Sequence, residues 1–187
     1  MIRPIALSLA IALAPPTWSG PAPAQTAHAP QPYAAMTGRA VKALPEEQIA
    51  DLRAGRGMGL ALPAELNGYP GPVYTLENAD ALGLSLDQRA RTRVLLEAMK
   101  AAAIPLGERL IEQEIDLDRL FATKAARPDS LTAATAAIGA TQGQLRAAHL
   151  RYHLATVDVL TPEQVRRYGE VRGYGGQALH EHGTPAP

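Results

Sequence analysis

The sequence predicts an all-α protein, a long antiparallel helical hairpin with short flanking helices. Three observations predict it. Leu96, Met99, Ala103, Leu106, Leu110, Leu117 and Leu120 follow alternating steps of three and four, with Gln113 the one polar break, and so line one face of a helix. A second run carries Leu131, Ile138, Leu145, Tyr152 and Val159 at strict sevens, with Ala134, Thr141, Ala148 and Ala155 between them. Aromatic residues are only 4% of the chain while alanine is abundant, and such a core suits closely packed helices better than a sheet sandwich.

The first 24 residues read as an export signal. Arg3 supplies a positive end, IALSLAIALA is an apolar core too short to span a bilayer, and Ala22 and Ala24 stand at small-residue cleavage positions. Cleavage there would leave 163 residues, enough for one domain. Cysteine is absent, which excludes a lipid-anchored cysteine, disulfides, thiolate chemistry and Cys-based zinc sites. Without Arg3, 17 basic side chains face 18 acidic ones, so no general attraction to nucleic acid is expected. Together these features predict a soluble periplasmic protein.

Residues 25–43 are rich in Pro, Ala and Gln and predict a flexible lead-in. Residues 45–53 (PEEQIADLR) predict a short helix, with Pro and two Glu suited to its first turn. Gly and Pro punctuate residues 54–72, which read as loop with one helical turn near Ala64. Its GRGMG run lacks the strand, helix and lysine of a phosphate loop, so it reads as a wrap with Met58 and Leu60 tucked onto a helix.

The first long helix is expected over residues 86–125, with Pro105 and Gly107 inside it. The proline removes a backbone hydrogen bond, predicting a kink at a cost of about 3 kcal/mol relative to alanine. RPDS at 127–130 predicts the turn, with Asp129 or Ser130 as cap of the second long helix. Counting back from that turn puts Val159 level with Glu97, so residues 86–95 overhang and need cover. A last helix over 162–172 or a second copy of the chain would supply it, and a homodimer is expected. The helical domain is placed at 44–175, followed by a disordered tail at 176–187.

Two stretches share one physical device. In LTPEQ (160–164), Thr161 is a helix N-cap and Gln164 reaches back to complete a capping box; in LSLDQ (84–88), Ser85 and Gln88 repeat it. Leu84 and Leu160 precede the two caps, and LPEEQ (44–48) is a fainter copy without the hydroxyl. On these boxes, over residues 44–174, the chain resembles the Spy/CpxP family of periplasmic proteins, whose mark is a repeated LTxxQ motif. Here Ser85 stands in place of threonine. The resemblance implies a cradle-shaped all-helical dimer that holds unfolded or stressed envelope proteins without ATP, and it brings in relatives that bind or sense heavy metals. A membrane-bound sensor would be a further partner.

Two sets of candidate site residues follow. Arg89, Arg91 and Arg93, with Val94 and Leu95 off the main stripe, are candidates for client contact; the alternative pairs the arginines with Asp158 and Glu163. Leu150 is a further off-stripe residue. His149 and His153 stand one helical turn apart and offer two imidazoles to one ion, with Glu108 as third ligand and zinc, nickel or copper as the metals that suit such donors. The alternative is that His149 flanks the seam and His153 faces solvent. His180 and His182 in the tail suggest at most weak metal capture. No nucleophile elbow, Ser/His/Asp set or paired carboxylates in a cleft point to an enzyme.

Overall fold

A computed structural model describes residues 33–174; the predicted signal segment, the first part of the lead-in and the His180/His182 tail lie outside them. Among the described residues the chain is all helical and contains no strand. Six α-helices follow in order: α1 (Glu46–Arg53), α2 (Leu62–Glu65), α3 (Pro72–Glu77), α4 (Leu86–Ala122), α5 (Pro128–Val157) and α6 (Pro162–Val171). The two long helices, α4 and α5, pack along one another, and α1 and α3 pack on α4. None of the helices is long and apolar enough to cross a membrane, among the described residues.

The predicted seam is broadly the buried face. Met99, Ala103 and Leu110 of α4 and Ile138, Thr141, Leu145 and Ala148 of α5 are buried. Val41, Leu44 and Leu52 join them, so the core begins inside the predicted lead-in rather than at residue 44. Leu60 packs against this cluster as expected, whereas Met58 is exposed and has positive φ. The helical turn near Ala64 is α2. The sequence reading has no counterpart for α3, which opens with Pro72 at its first position directly after Gly71.

α4 runs through Pro105 without interruption. The nearby Gly107 has a different purpose from loosening the helix. A Cβ there would stand 2.6 Å from the carbonyl oxygen of Leu52, so α1 lies directly on the bare glycine backbone. Closeness at this point seats Leu52 in the core.

The turn between the long helices lies earlier than expected. Lys124 takes the left-handed conformation, with φ 59°, and the Ala125 N–H reaches back to the carbonyl of Leu120, closing α4. Arg127, rather than Asp129 or Ser130, holds the N-cap position of α5, and Ser130 serves that end from inside the helix by accepting from the Arg127 N–H. The register shifts accordingly. Val159 falls level with Gln88, whose side-chain amide donates to its carbonyl at 3.0 Å, not with Glu97. Much of the expected overhang is therefore closed by the chain itself, where Ala79, Leu82, Leu84, Leu160 and Tyr168 form a second core. Because a left-handed lysine bears a strain that glycine does not, Lys124→Gly should stabilise the protein by about 0.5–1 kcal/mol. Urea unfolding of the two proteins checks it.

Both capping boxes form. The Ser85 hydroxyl accepts from the Gln88 N–H and the Gln88 side chain accepts from the Ser85 N–H; Thr161 and Gln164 repeat the exchange. The two boxes also meet. Gln88 Nε2 donates to Gln164 Oε1 at 2.7 Å and Gln164 Nε2 donates to Gln88 Oε1 at 3.0 Å, a reciprocal amide pair joining the starts of α4 and α6. Each glutamine thus caps its own helix and grips the other. A double-mutant cycle with Gln88→Ala and Gln164→Ala should show a coupling of about 1 kcal/mol; strict additivity would remove the pair as a stabilising unit.

Candidate functional site

The flanking segment from Gly55 to Tyr74 folds over part of the α4/α5 pair and borders a half-open cavity of about 590 Å³. Leu96, Met99 and Lys100 of α4, His149 and His153 of α5, Glu65 of α2, and Arg172 and Tyr174 just after α6 line it together with the glycine-rich segment. The volume lies within the range of small-molecule pockets, about 300–1,000 Å³.

Both histidines face inward. His149 is 2% exposed and His153 8%, so the expectation that His153 faces solvent is corrected: the residues 55–72 cover it. His153 Nδ1 donates to the carbonyl of Tyr69 at 2.6 Å, which fixes the proton on that nitrogen. Its other edge lies against Gly71, where a Cβ would stand 2.7 Å from both Cε1 and Nε2. Only glycine leaves room for the ring there. His149 is different. Its Nε2 is buried with no hydrogen-bond partner, and its Nδ1 looks toward Gly57, whose missing Cβ would stand at 3.6 Å.

Burial, and then the neighbouring His153, push the pKa of His149 below its ordinary 6.5. The neutral ring is the folded form. A histidine with lowered pKa binds its proton more readily in the unfolded chain, so its contribution to stability is complete above pH 6.5 and is lost as the pH falls toward the depressed value. Urea unfolding above and below pH 6.5 should show this decline, and His149→Phe should flatten it. Equal slopes in both proteins would assign the decline elsewhere.

Glu65 is the residue that sequence reasoning misses. It is 7% exposed, and its Oε1 accepts from the hydroxyls of Tyr168 at 2.5 Å and Tyr174 at 3.0 Å. Arg172 lies 3.5 Å from the same oxygen, and its guanidinium stacks on the Tyr74 ring at 3.8 Å. Oε2 has no hydrogen-bond partner and lies 3.9 Å from His153 Nδ1. Burial and the bond to Glu65 raise the pKa of Tyr168, which stays a donor. A single signal pointed here: Glu65 is the one carboxylate in the Gly- and Pro-rich stretch 54–72.

Glu108 does not complete a set with the histidines. It lies on the surface side of α4 and pairs with Arg53 at 3.2 Å, because the register shift moves it away from the level of His149. Among the described residues no three His, Asp or Glu side chains gather as metal ligands. Two imidazoles fall short of the three or four ligands that hold a transition metal.

Of the candidate client residues, Arg91, Val94 and Leu95 line one shallow groove. Arg89 is held by the Leu84 carbonyl and Asp80, Arg91 lies 3.9 Å from Asp87, and Arg93 is exposed. The alternative partners are not used, Glu163 pairing instead with Arg166. Val94 is exposed and Leu95 half-buried, both bordering a shallow groove with Ala155 and Val159. Leu150 is half-buried.

A larger apolar surface lies elsewhere. Met58, Leu62, Leu66, Tyr69, Val73 and Tyr74 are all exposed within one short stretch, and Met58, Leu62, Val73 and Tyr74 rim the cavity. Compared with protein-family models, with curated proteins and with solved structures, the chain shows no match. Fold and site define an all-helical protein built on two long helices, with a half-open, mainly apolar cavity carrying a few buried polar groups under a glycine-rich wrap.

Proposed function

We propose that the protein is a periplasmic chaperone or envelope-stress adaptor that holds unfolded proteins without ATP, as a dimer of antiparallel helical hairpins. The observation that carries this reading is the exposed apolar run from Met58 to Tyr74. Soluble proteins rarely leave contiguous apolar side chains in water without a use for them. The wrap presents them on two short helices, α2 and α3, and the loops around them. Val94 and Leu95, with Arg91 beside the same groove, offer a second face for a client or for the partner copy.

The test is suppression of aggregation of a chemically unfolded client at near-stoichiometric amounts. The chain should suppress it, and the triple variant Leu62→Ser, Leu66→Ser, Val73→Ser should lose most of that effect while keeping its helical content. No suppression by the unmodified chain would sink the reading. A solution mass equal to one chain at micromolar concentration would remove the dimer.

A second reading, sensing or buffering of zinc, nickel or copper through His149 and His153, has one observation in its favour. The Nε2 of His149 is buried without a hydrogen-bond partner, one helical turn from His153. Calorimetric titration of the three metals into the full chain, beside His153→Ala, decides it: saturable binding lost in the variant favours the metal.

A further inference from the structure

We infer that the cavity under the glycine-rich wrap is a binding site for a small uncharged amphiphile, with its apolar body against Met99 and Leu96 and its polar group on His149. This inference is independent of client binding. Three observations carry it.

The first is an unmet hydrogen bond. Buried polar side chains find partners almost without exception, and a buried unpartnered one calls for an explanation. His149 Nε2 has none, and neither has Glu65 Oε2 in the wall of the same cavity. Both side chains are more than nine-tenths buried; His149 lies well inside α5, and Glu65 is the last residue of the short α2. A neutral imidazole can donate through one nitrogen and accept through the other, so it suits a group that does both, such as a hydroxyl or an amide.

The second is the balance of charge. The ionic groups lining the cavity are matched in pairs: Arg56 with Asp51, Arg172 with Glu65, and Lys100 with Glu97 just outside. Among the described residues a phosphate or carboxylate would find no cation that is not already paired, and an ammonium would meet a carboxylate whose charge the Arg172 guanidinium and two tyrosine hydroxyls already balance at Oε1, with Oε2 alone left open. Either ion would be desolvated without sufficient return. An uncharged ligand avoids that cost.

The third is the shape of the wall. Met99, Leu96, Leu62 and Val73 supply apolar surface, and Gly57 leaves the space beside His149 open. Gly57 does not have positive φ, so its backbone does not require glycine. The absence of a side chain there keeps room next to the imidazole.

The experiment compares three probes with one body: 3-phenylpropan-1-ol, 3-phenylpropanoate and 3-phenylpropan-1-amine, each titrated into the full chain while the imidazole ¹⁵N resonances are followed. The alcohol should bind saturably, shift His149, and bind more tightly than either ion. His149→Leu should weaken it about tenfold, the value of one buried hydrogen bond. Gly57→Leu, which fills the space beside the ring, should abolish binding while leaving the helical content unchanged. If that variant does not fold, Val73→Trp at the cavity mouth provides the same block. Absence of saturable alcohol binding overturns the inference, as do ions that bind equally well or binding that survives the block. A His149 response to zinc ions with none to the alcohol also overturns it.

Discussion

Glu65→Ala is expected to destabilise the protein by about 3 kcal/mol, because it removes the acceptor on which the buried Tyr168 hydroxyl, the half-buried Tyr174 hydroxyl and a guanidinium converge. Tyr168, 1% exposed, would keep its position in the second core while its hydroxyl lost its partner. Arg172 would keep its stack on Tyr74 and lose the carboxylate beside it. For a domain of this size the loss corresponds to a Tm lower by roughly 6–12 °C. Tyr168→Phe serves as the graded control, since it removes one donor and leaves the acid with Tyr174 and Arg172; a loss of about 1 kcal/mol is expected. Thermal unfolding followed by far-UV circular dichroism measures both. If Glu65→Ala unfolds with the unmodified chain, the cluster does not hold α6 to the wrap.

Gly107→Ala should cost about 1–3 kcal/mol, the usual penalty for forcing an extra group into a packed contact. A Cβ at this position meets the backbone of Leu52 at its carbonyl oxygen, and backbone cannot rotate away as a side-chain tip can. α1 would have to lift from α4, drawing Leu52 out of the core. The same substitution at Gly139 on α5 makes the comparison sharp. Nothing lies within 4 Å of a Cβ built there, so Gly139→Ala should gain about 0.5–1 kcal/mol from helix propensity alone. Opposite signs in urea unfolding would place the cost in the α1 contact. Equal signs would remove that explanation.

The long helices were legible because their evidence is local, whereas α3 was not read from the sequence. Three-and-four spacing from Leu96 to Leu120, strict sevens from Leu131, and the hydroxyl and glutamine of each box need only neighbouring residues to be read. Register was not legible to the same degree. Moving the turn from RPDS to Lys124 slides one long helix along the other, and that slide separates Glu108 from His149 and brings Met99 to the same cavity. The histidines were recognisable as a pair. Their surroundings were not, since Tyr69, Gly71 and Glu65 come from a stretch with no periodicity to indicate which side chain points where. Likewise the glutamines were recognisable as caps, while their grip on each other depends on the complete fold.

That grip bears on the order in which the chain folds. Gln88 and Gln164 are 76 positions apart, and each start of a helix would form sooner if it needed only its own cap. Tying them together makes completion of either end wait until the long pair has closed and α6 has arrived, a contact of high sequence separation whose loop-closure entropy must be met by structure already formed. The amide pair is therefore expected to close late in folding. It reports that both long helices have reached their final alignment, and a chain paired one turn out of step would have no second glutamine to meet the first.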